Sequence, residues 1–136
     1  MARGFSCGGV RFEPREAVSI TAPYAECIAP ADSPVVASVA FEFLTDPAIA
    51  TRRDRAIRYR WEDERLTVSA PSAQIDLVRV GRDRFEGTVR QAPGMETRWL
   101  GATACAVSSI MGGVTLHATA VEYEGRAVLF VGPSGA

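Results

Sequence analysis

Alternation of apolar and polar side chains in the first two thirds of the chain is the feature that most restricts the fold. In the stretch SPVVASVAFEFL, Val39 and Phe41 fall on one side of an extended chain, and Ser38 and Glu42 fall on the other. A period of two is typical of a β-strand that buries one face. The stretch therefore predicts a strand with a buried and a solvated side.

Two further segments predict hairpins. AIRYRWEDERLTVSA reverses direction at the charged triplet EDE, and AQIDLVRVGRDRFEGTVR reverses at Gly81-Arg82-Asp83. AVSITAP predicts one more short strand. Short strands joined by close turns are typical of an antiparallel meander. Residues 1–92 are therefore predicted to be a β-rich, antiparallel N-terminal region, in which the acidic neighbours of the arginine-rich stretches balance their charge on solvated strand faces.

The pattern changes after Pro93-Gly94. In ETRWLGATACAVSSIM, apolar and small residues recur at helical spacing, and Gly112-Gly113 supplies a stop signal. VTLHATAV and AVLFV then predict two strands that turn at Gly125. AVLFV is apolar at every position, so both of its faces are expected to be buried. The fold class is therefore predicted as α+β, with one helix and a β-hairpin after the β-rich region.

Composition excludes several functions. The net charge of −1 favours neither nucleic acid nor an anionic membrane. The three cysteines are widely spaced without a CxxC pair, so neither a disulfide framework nor a metal site is predicted. The N-terminus lacks the apolar segment of a signal peptide, and the long uncharged stretch contains too many polar residues and glycines for a membrane span. A cytoplasmic protein is expected.

The last residues carry the motif that points to chemistry. Gly132, Pro133, Ser134, Gly135 and Ala136 match the first five positions of the phosphate-binding loop G-x-x-x-x-G-K-[ST]. In such a loop, backbone N–H groups attract phosphate oxygens, the lysine adds positive charge and the hydroxyl binds Mg²⁺. The second glycine, the lysine and the hydroxyl have no positions here, and all fifteen basic residues are arginines.

The longer stretch LHATAVEYEGRAVLFVGPSGA resembles the HPr serine kinase/phosphorylase family, and more closely its HPr-kinase-related group. In that family, a strand with the pattern H-(G/A)-(S/T/V)-x-V leads through a glycine turn to an apolar strand and then to G-x-S-G-x-G-K-S/T. The resemblance covers about residues 95–136. It implies that residues 93–136 begin an HPr-kinase/PEP-carboxykinase-like P-loop core, which is truncated inside the phosphate loop.

The resemblance also implies roles for particular residues. His117 matches the family's histidine, which implies contact with phosphate or proton handling; a polar residue on a half-exposed strand is the alternative. Gly132 to Ala136 match the nucleotide-binding loop. A complete relative uses ATP and Mg²⁺ to phosphorylate a serine of a protein or peptide. This chain alone is expected to bind no cofactor and to be inactive.

Other chemistries fit less well. GPSGA lacks the final glycine of a nucleophile elbow, and His117 is the single histidine available to a catalytic triad. The alternative function is a non-catalytic, β-rich module that binds a peptide or protein partner by adding a strand to an exposed sheet edge. If the chain is a fragment, the AVLFV strand would lie uncovered at an edge, so the isolated chain is expected to be poorly soluble or a homo-oligomer. A complete module would have to cover this strand.

Overall fold

The structure, a computed structural model, describes residues 4–16, 18, 28–29, 32–51, 56–70, 72–94, 99–116 and 118–132. These residues form a mixed α/β structure that is mostly β-sheet, with one helix and a separate β-hairpin. The strands are β1 (Phe5–Cys7), β2 (Val10–Pro14), β3 (Ala37–Thr45), β4 (Arg58–Glu62), β5 (Arg65–Ala70), β6 (Ala73–Arg79), β7 (Arg84–Gln91), β8 (Thr119–Tyr123) and β9 (Arg126–Phe130), and the helix is α1 (Trp99–Ile110).

The main sheet has seven strands in the order β1-β2-β3-β7-β6-β5-β4. Strands β4 to β7 form the antiparallel meander that the two hairpin patterns predicted. The prediction of a wholly antiparallel region is wrong, because β3 lies parallel to both β2 and β7. The alternation in β3 specifies which face is buried, but it carries no information about the direction of the neighbouring strands.

An N-terminal hairpin was not predicted. Strands β1 and β2 pair in an antiparallel manner around Gly8-Gly9, and both glycines have positive φ angles. Two glycines between alternating residues are a strong hairpin signal, because positive φ costs glycine little. The predicted strand AVSITAP, residues 17–23, lies outside the described residues except for Val18.

The core lies between one face of the sheet and α1. Phe12 and Phe41 meet the ring of Trp99 nearly edge-on, at centroid distances of 6.2 and 5.5 Å. The Trp99 indole N–H donates a hydrogen bond of 2.6 Å to Oε1 of Gln91, so its polar atom is satisfied although the side chain is buried. Burial of a large apolar side chain contributes about 1.5–3 kcal/mol, so this contact helps to hold the helix against the sheet.

The helix ends as the sequence predicts. Gly112 has a φ of +86°, and its N–H bonds the carbonyl of Ser109, while the N–H of Gly113 bonds the carbonyl of Ser108. This pair of bonds satisfies carbonyls that a helix end otherwise leaves without partners. The predicted residues before Trp99 lie outside the described part of the chain. The domain boundary predicted after residue 92 stays a prediction. Helix α1, which follows it, shares a hydrophobic core with the main sheet.

The opposite face of the sheet is polar. Arg84 contacts Glu13 at 3.3 Å and Glu86 at 3.1 Å, and Thr67 donates a hydrogen bond to Asp76 across β5 and β6. The predicted balance of arginine with acidic neighbours is seen in RYRWEDER, where Arg60 forms an ion pair with Glu62; RRDR lies outside the described residues. Exposed ion pairs of this kind contribute little to stability, so the face mainly keeps the sheet solvated.

Candidate functional site

The resemblance places the candidate site at the end of hairpin β8–β9. The strands pair in an antiparallel register from Thr119↔Phe130 to Tyr123↔Arg126. Glu124 and Gly125 form the turn, with φ angles of +50° and +70°, which confirms the expected turn at Gly125. The alternating pattern VTLHATAV predicts a strand that starts at residue 114. The observed strand β8 begins only at Thr119 and is therefore shorter than predicted at this end.

The hairpin exposes apolar side chains on both faces. Val128 and Phe130 lie on one face and are 40% and 61% exposed, while Leu129 lies on the other and is 51% exposed. The prediction that AVLFV is buried on both faces is therefore wrong for this structure. The apolar sequence AVLFV does form a strand with apolar side chains on both faces. Among the described residues, however, no element covers either face of this hairpin.

The candidate nucleotide-binding residues are described only in part. Gly132 follows β9 and is exposed, in backbone without regular secondary structure. Pro133, Ser134, Gly135 and Ala136 lie outside the described residues, and so does His117. The structure therefore places Gly132 directly after the expected strand AVLFV. The roles of His117 and of the other four loop residues stay predictions.

The residues that resemble the start of a phosphate loop include no lysine that could bind the phosphates of ATP. A phosphate loop needs a lysine and a hydroxyl at its end, and the sequence has no lysine. Among the described residues, no group of histidine, cysteine or acidic side chains could hold a metal ion.

Sequence reasoning did not identify a second exposed feature, the outer edge of β4, here called the β4 edge (Arg58–Glu62). All five residues are exposed, and β4 is the last strand of the sheet. Tyr59 and Trp61 lie opposite Val68 and Leu66, so they extend the apolar face. The Trp61 ring lies 6.2 Å from that of Phe85. The alternation in AIRYRW indicates that Tyr59 and Trp61 share one face of a strand. That this strand lies at the edge of the sheet follows only from the strand order.

Charged groups surround the β4 edge. On its polar face, Arg60 forms an ion pair with Glu62, beside a depression of about 250 Å³ that Asp63, Arg65 and Thr67 also line. On its apolar face, partial burial and the nearby Cys105 thiol raise the pKa of the Tyr59 hydroxyl, so this group stays neutral to a higher pH. The two faces of β4 thus differ in both charge and polarity.

The chain was compared with protein-family models, with curated proteins and with solved structures, and none of these comparisons finds a match. Within the described part of the chain, no helix combines the length and apolar character that crossing a membrane requires.

Proposed function

We propose that the chain is the N-terminal part of an HPr-kinase-like enzyme, which uses Mg²⁺-ATP to phosphorylate a serine of a protein or peptide. The observation that carries this proposal is hairpin β8–β9. Its turn forms at Gly125 as expected, its second strand leads directly to Gly132, and its apolar side chains are uncovered on both faces. Strands of this composition belong inside a sheet that is covered on both sides.

The contrast between the two sheets supports the proposal. The seven-stranded sheet buries its own apolar face beneath α1, whereas the hairpin has no core of its own. An isolated two-stranded hairpin is at best marginally stable in water. We infer that β8 and β9 are built to pair with, and to be covered by, further elements of a P-loop core.

Two parts of this chain would take part in the reaction. The backbone N–H groups between Gly132 and Ala136 would form the first part of a nest for phosphate oxygens. His117 would contact phosphate or handle a proton. The lysine and the Mg²⁺-binding hydroxyl would have to follow Ala136, and ATP would supply the transferred phosphoryl group. Such an enzyme would act in the cytoplasm.

The deciding experiment is to sequence the coding DNA through the codons after Ala136. Codons for Gly-Lys-Ser or Gly-Lys-Thr would support the proposal, and the encoded protein should then bind Mg²⁺-ATP. Replacement of that lysine by alanine should abolish the binding. A stop codon directly after Ala136 would overturn the proposal.

A second candidate function is a non-catalytic binding module, which the open β4 edge favours. An extended peptide could add a strand there through backbone hydrogen bonds, with side-chain contacts giving specificity. Titration of the chain with extended peptides, followed by amide chemical shifts, would test it. Shifts centred on Tyr59 and Trp61 are expected, and shifts confined to hairpin β8–β9 would contradict it.

A further inference from the structure

Among the described residues, no strand pairs with the outer side of the β4 edge. Asp63 and Glu64 form a two-residue turn, and both have positive φ angles. In such a hairpin, the residues that flank the turn form a hydrogen-bonded pair, and these pairs alternate along the strands. Backbone groups of Glu62, and of every second residue before it, therefore point toward β5. Those of Tyr59 and Trp61 point outward.

The side chains of β4 suit an antiparallel pair of two β4 strands from different copies of the chain. In an antiparallel pair of β4 strands centred on Arg60, Arg58 of each copy lies opposite Glu62 of the other. On the apolar face, Tyr59 of each copy lies opposite Trp61 of the other. Opposite charges and aromatic pairs both stabilise cross-strand neighbours. The outward backbone groups of Tyr59 and Trp61 would form four hydrogen bonds between the copies.

Other registers fit less well. Directly opposite residues of two paired strands point to the same side of the sheet. If one copy of β4 shifts by one residue, its aromatic side chains therefore lie beside the charged side chains of the other copy. Centring the pair on Tyr59 brings Arg58 opposite Arg60, which is repulsive. Centring it on Trp61 pairs Arg60 with Glu62, but only three residues of each strand then overlap. The register on Arg60 pairs all five residues of β4 and joins two pairs of opposite charge. It also sets Arg60 opposite Arg60 of the other copy, and each of these arginines forms an ion pair with Glu62 of its own chain.

The opposite edge of the sheet is less accessible. Strand β1 has only three residues, and Ser6 forms an antiparallel bridge with Ala29, whose N–H donates a 2.9 Å hydrogen bond to the Ser6 carbonyl. A bridge on the outer side of a short strand blocks further pairing. Pairing through β4 alone produces a closed two-fold dimer rather than an open chain of molecules.

We propose that the β4 edge is a dimerisation surface, on which β4 of a second copy pairs in an antiparallel manner with Arg60 on the two-fold axis. The two sheets then become one continuous sheet. This surface is independent of the proposed kinase activity. Because five residues from each copy form a small interface, the dimer should be reversible and its population should depend on concentration.

Charge-reversal variants test the surface and its register together. In Arg58→Glu, the introduced glutamate faces Glu62 of the other copy, and in Glu62→Arg, Arg58 faces an arginine. Sedimentation velocity over a concentration series should show dimer formation weakened at least about tenfold in each variant alone. An equimolar mixture of the two variants should recover the dimer, because both cross-strand pairs are then opposite in charge. Arg90→Glu, on central strand β7, is the matched control and should dimerise normally.

Cross-linking gives a second measurement. Residues at the two-fold position form a non-hydrogen-bonded pair, whose Cα atoms lie about 4.5 Å apart, within the range of a disulfide. Arg60→Cys should therefore cross-link under mild oxidation, and Arg58→Cys should not exceed the wild-type level. The proposal fails if the wild-type chain is monomeric, or if the mixed variants do not recover the dimer. Dimerisation that only substitutions in β8–β9 abolish would also overturn it.

Discussion

Gly87 shows how one residue limits the main sheet. It lies in β7, and a Cβ atom added there would sit 1.9 Å from the carbonyl oxygen of Asp76 in β6. The obstacle is backbone, so it cannot move aside without disturbing the pairing of β6 and β7. A glycine in the interior of a strand is otherwise unfavourable, and this close approach explains its presence.

We therefore expect Gly87→Ala to lower the free energy of unfolding by about 1–3 kcal/mol, the usual range for an overpacked position. Urea denaturation followed by circular dichroism would measure the loss. Gly81→Ala is the matched control, because its Cβ would meet only Cβ of Arg84 at an ordinary 3.7 Å. Equal stability of the two variants would contradict the argument.

The raised pKa of Tyr59 leads to a prediction about stability at alkaline pH. Partial burial, with the Cys105 thiol nearby, raises the pKa of its hydroxyl above the ordinary value of about 10. Below that value, the group is neutral in both the folded and the unfolded chain. Above it, the unfolded chain loses the proton first, so stability should fall as pH rises from about 10 through the folded pKa.

Tyr59→Phe should remove this part of the alkaline loss. The measurement is the urea midpoint at a series of pH values from neutral to strongly alkaline. Tyr123→Phe, in the exposed hairpin, is the control for the loss of a tyrosine hydroxyl. If Tyr59→Phe follows the same alkaline curve as the wild-type chain, the burial of this hydroxyl does not matter for stability.

At the scale of elements, α1 depends on its C-terminal cap. Gly112 adopts a left-handed conformation that an L-residue reaches at a cost of about 1–2 kcal/mol. We expect Gly112→Ala to lower stability by about 1 kcal/mol and Gly112→Asn to lower it less, because asparagine tolerates this conformation. Thermal unfolding of both variants would rank them, and an alanine variant as stable as the asparagine variant would contradict the cap.

Hairpin β8–β9 should behave differently from the main sheet. Because Val128 and Phe130 are exposed, their joint replacement by threonine should leave the thermal midpoint nearly unchanged and should reduce aggregation. Static light scattering and thermal unfolding would measure the two effects. Val68→Thr, at a fully buried position of β5, is the control and should lower the midpoint. An equal loss in both variants would show that the hairpin is packed.

At the scale of the whole molecule, we expect Mg²⁺-ATP to leave the thermal midpoint of this chain unchanged. A ligand stabilises a protein only to the extent that it binds the folded state. The chain lacks the lysine of a phosphate loop. Differential scanning fluorimetry with Mg²⁺-ATP and with Mg²⁺ alone would test this. A shift with the nucleotide that is absent with the metal would show that the loop residues present already suffice.

Local patterns predicted most of the elements. The alternation in β3, the turn between β6 and β7 and the Gly112 stop of α1 each depend on neighbouring residues, and the structure confirms all three. The Gly8-Gly9 hairpin carried an equally local signal, although it was not among the predicted elements. The predictable part of the fold is therefore the part that short stretches of sequence determine.

Strand order was not predictable in the same way. The parallel neighbours of β3, and the position of β4 at an edge, result from contacts between distant segments, which alternation does not encode. For the same reason, the pattern in AVLFV indicates that both faces need cover but does not indicate what covers them. Of the candidate nucleotide-binding residues, Gly132 follows the expected strand, and the others remain predictions from resemblance.

The parallel pairing of β3 with β7 determines when the sheet can assemble. Ser38 pairs with Arg84, so β3 leaves the ribosome well before its partner is made, whereas β4 to β7 can pair as they are synthesised. Chains grow by about 5–20 residues per second, so β3 waits for seconds with one apolar face uncovered. We expect the meander to fold first and to serve as the template on which the N-terminal strands assemble. A nascent chain that pauses before Arg84 should therefore attract chaperones through β3.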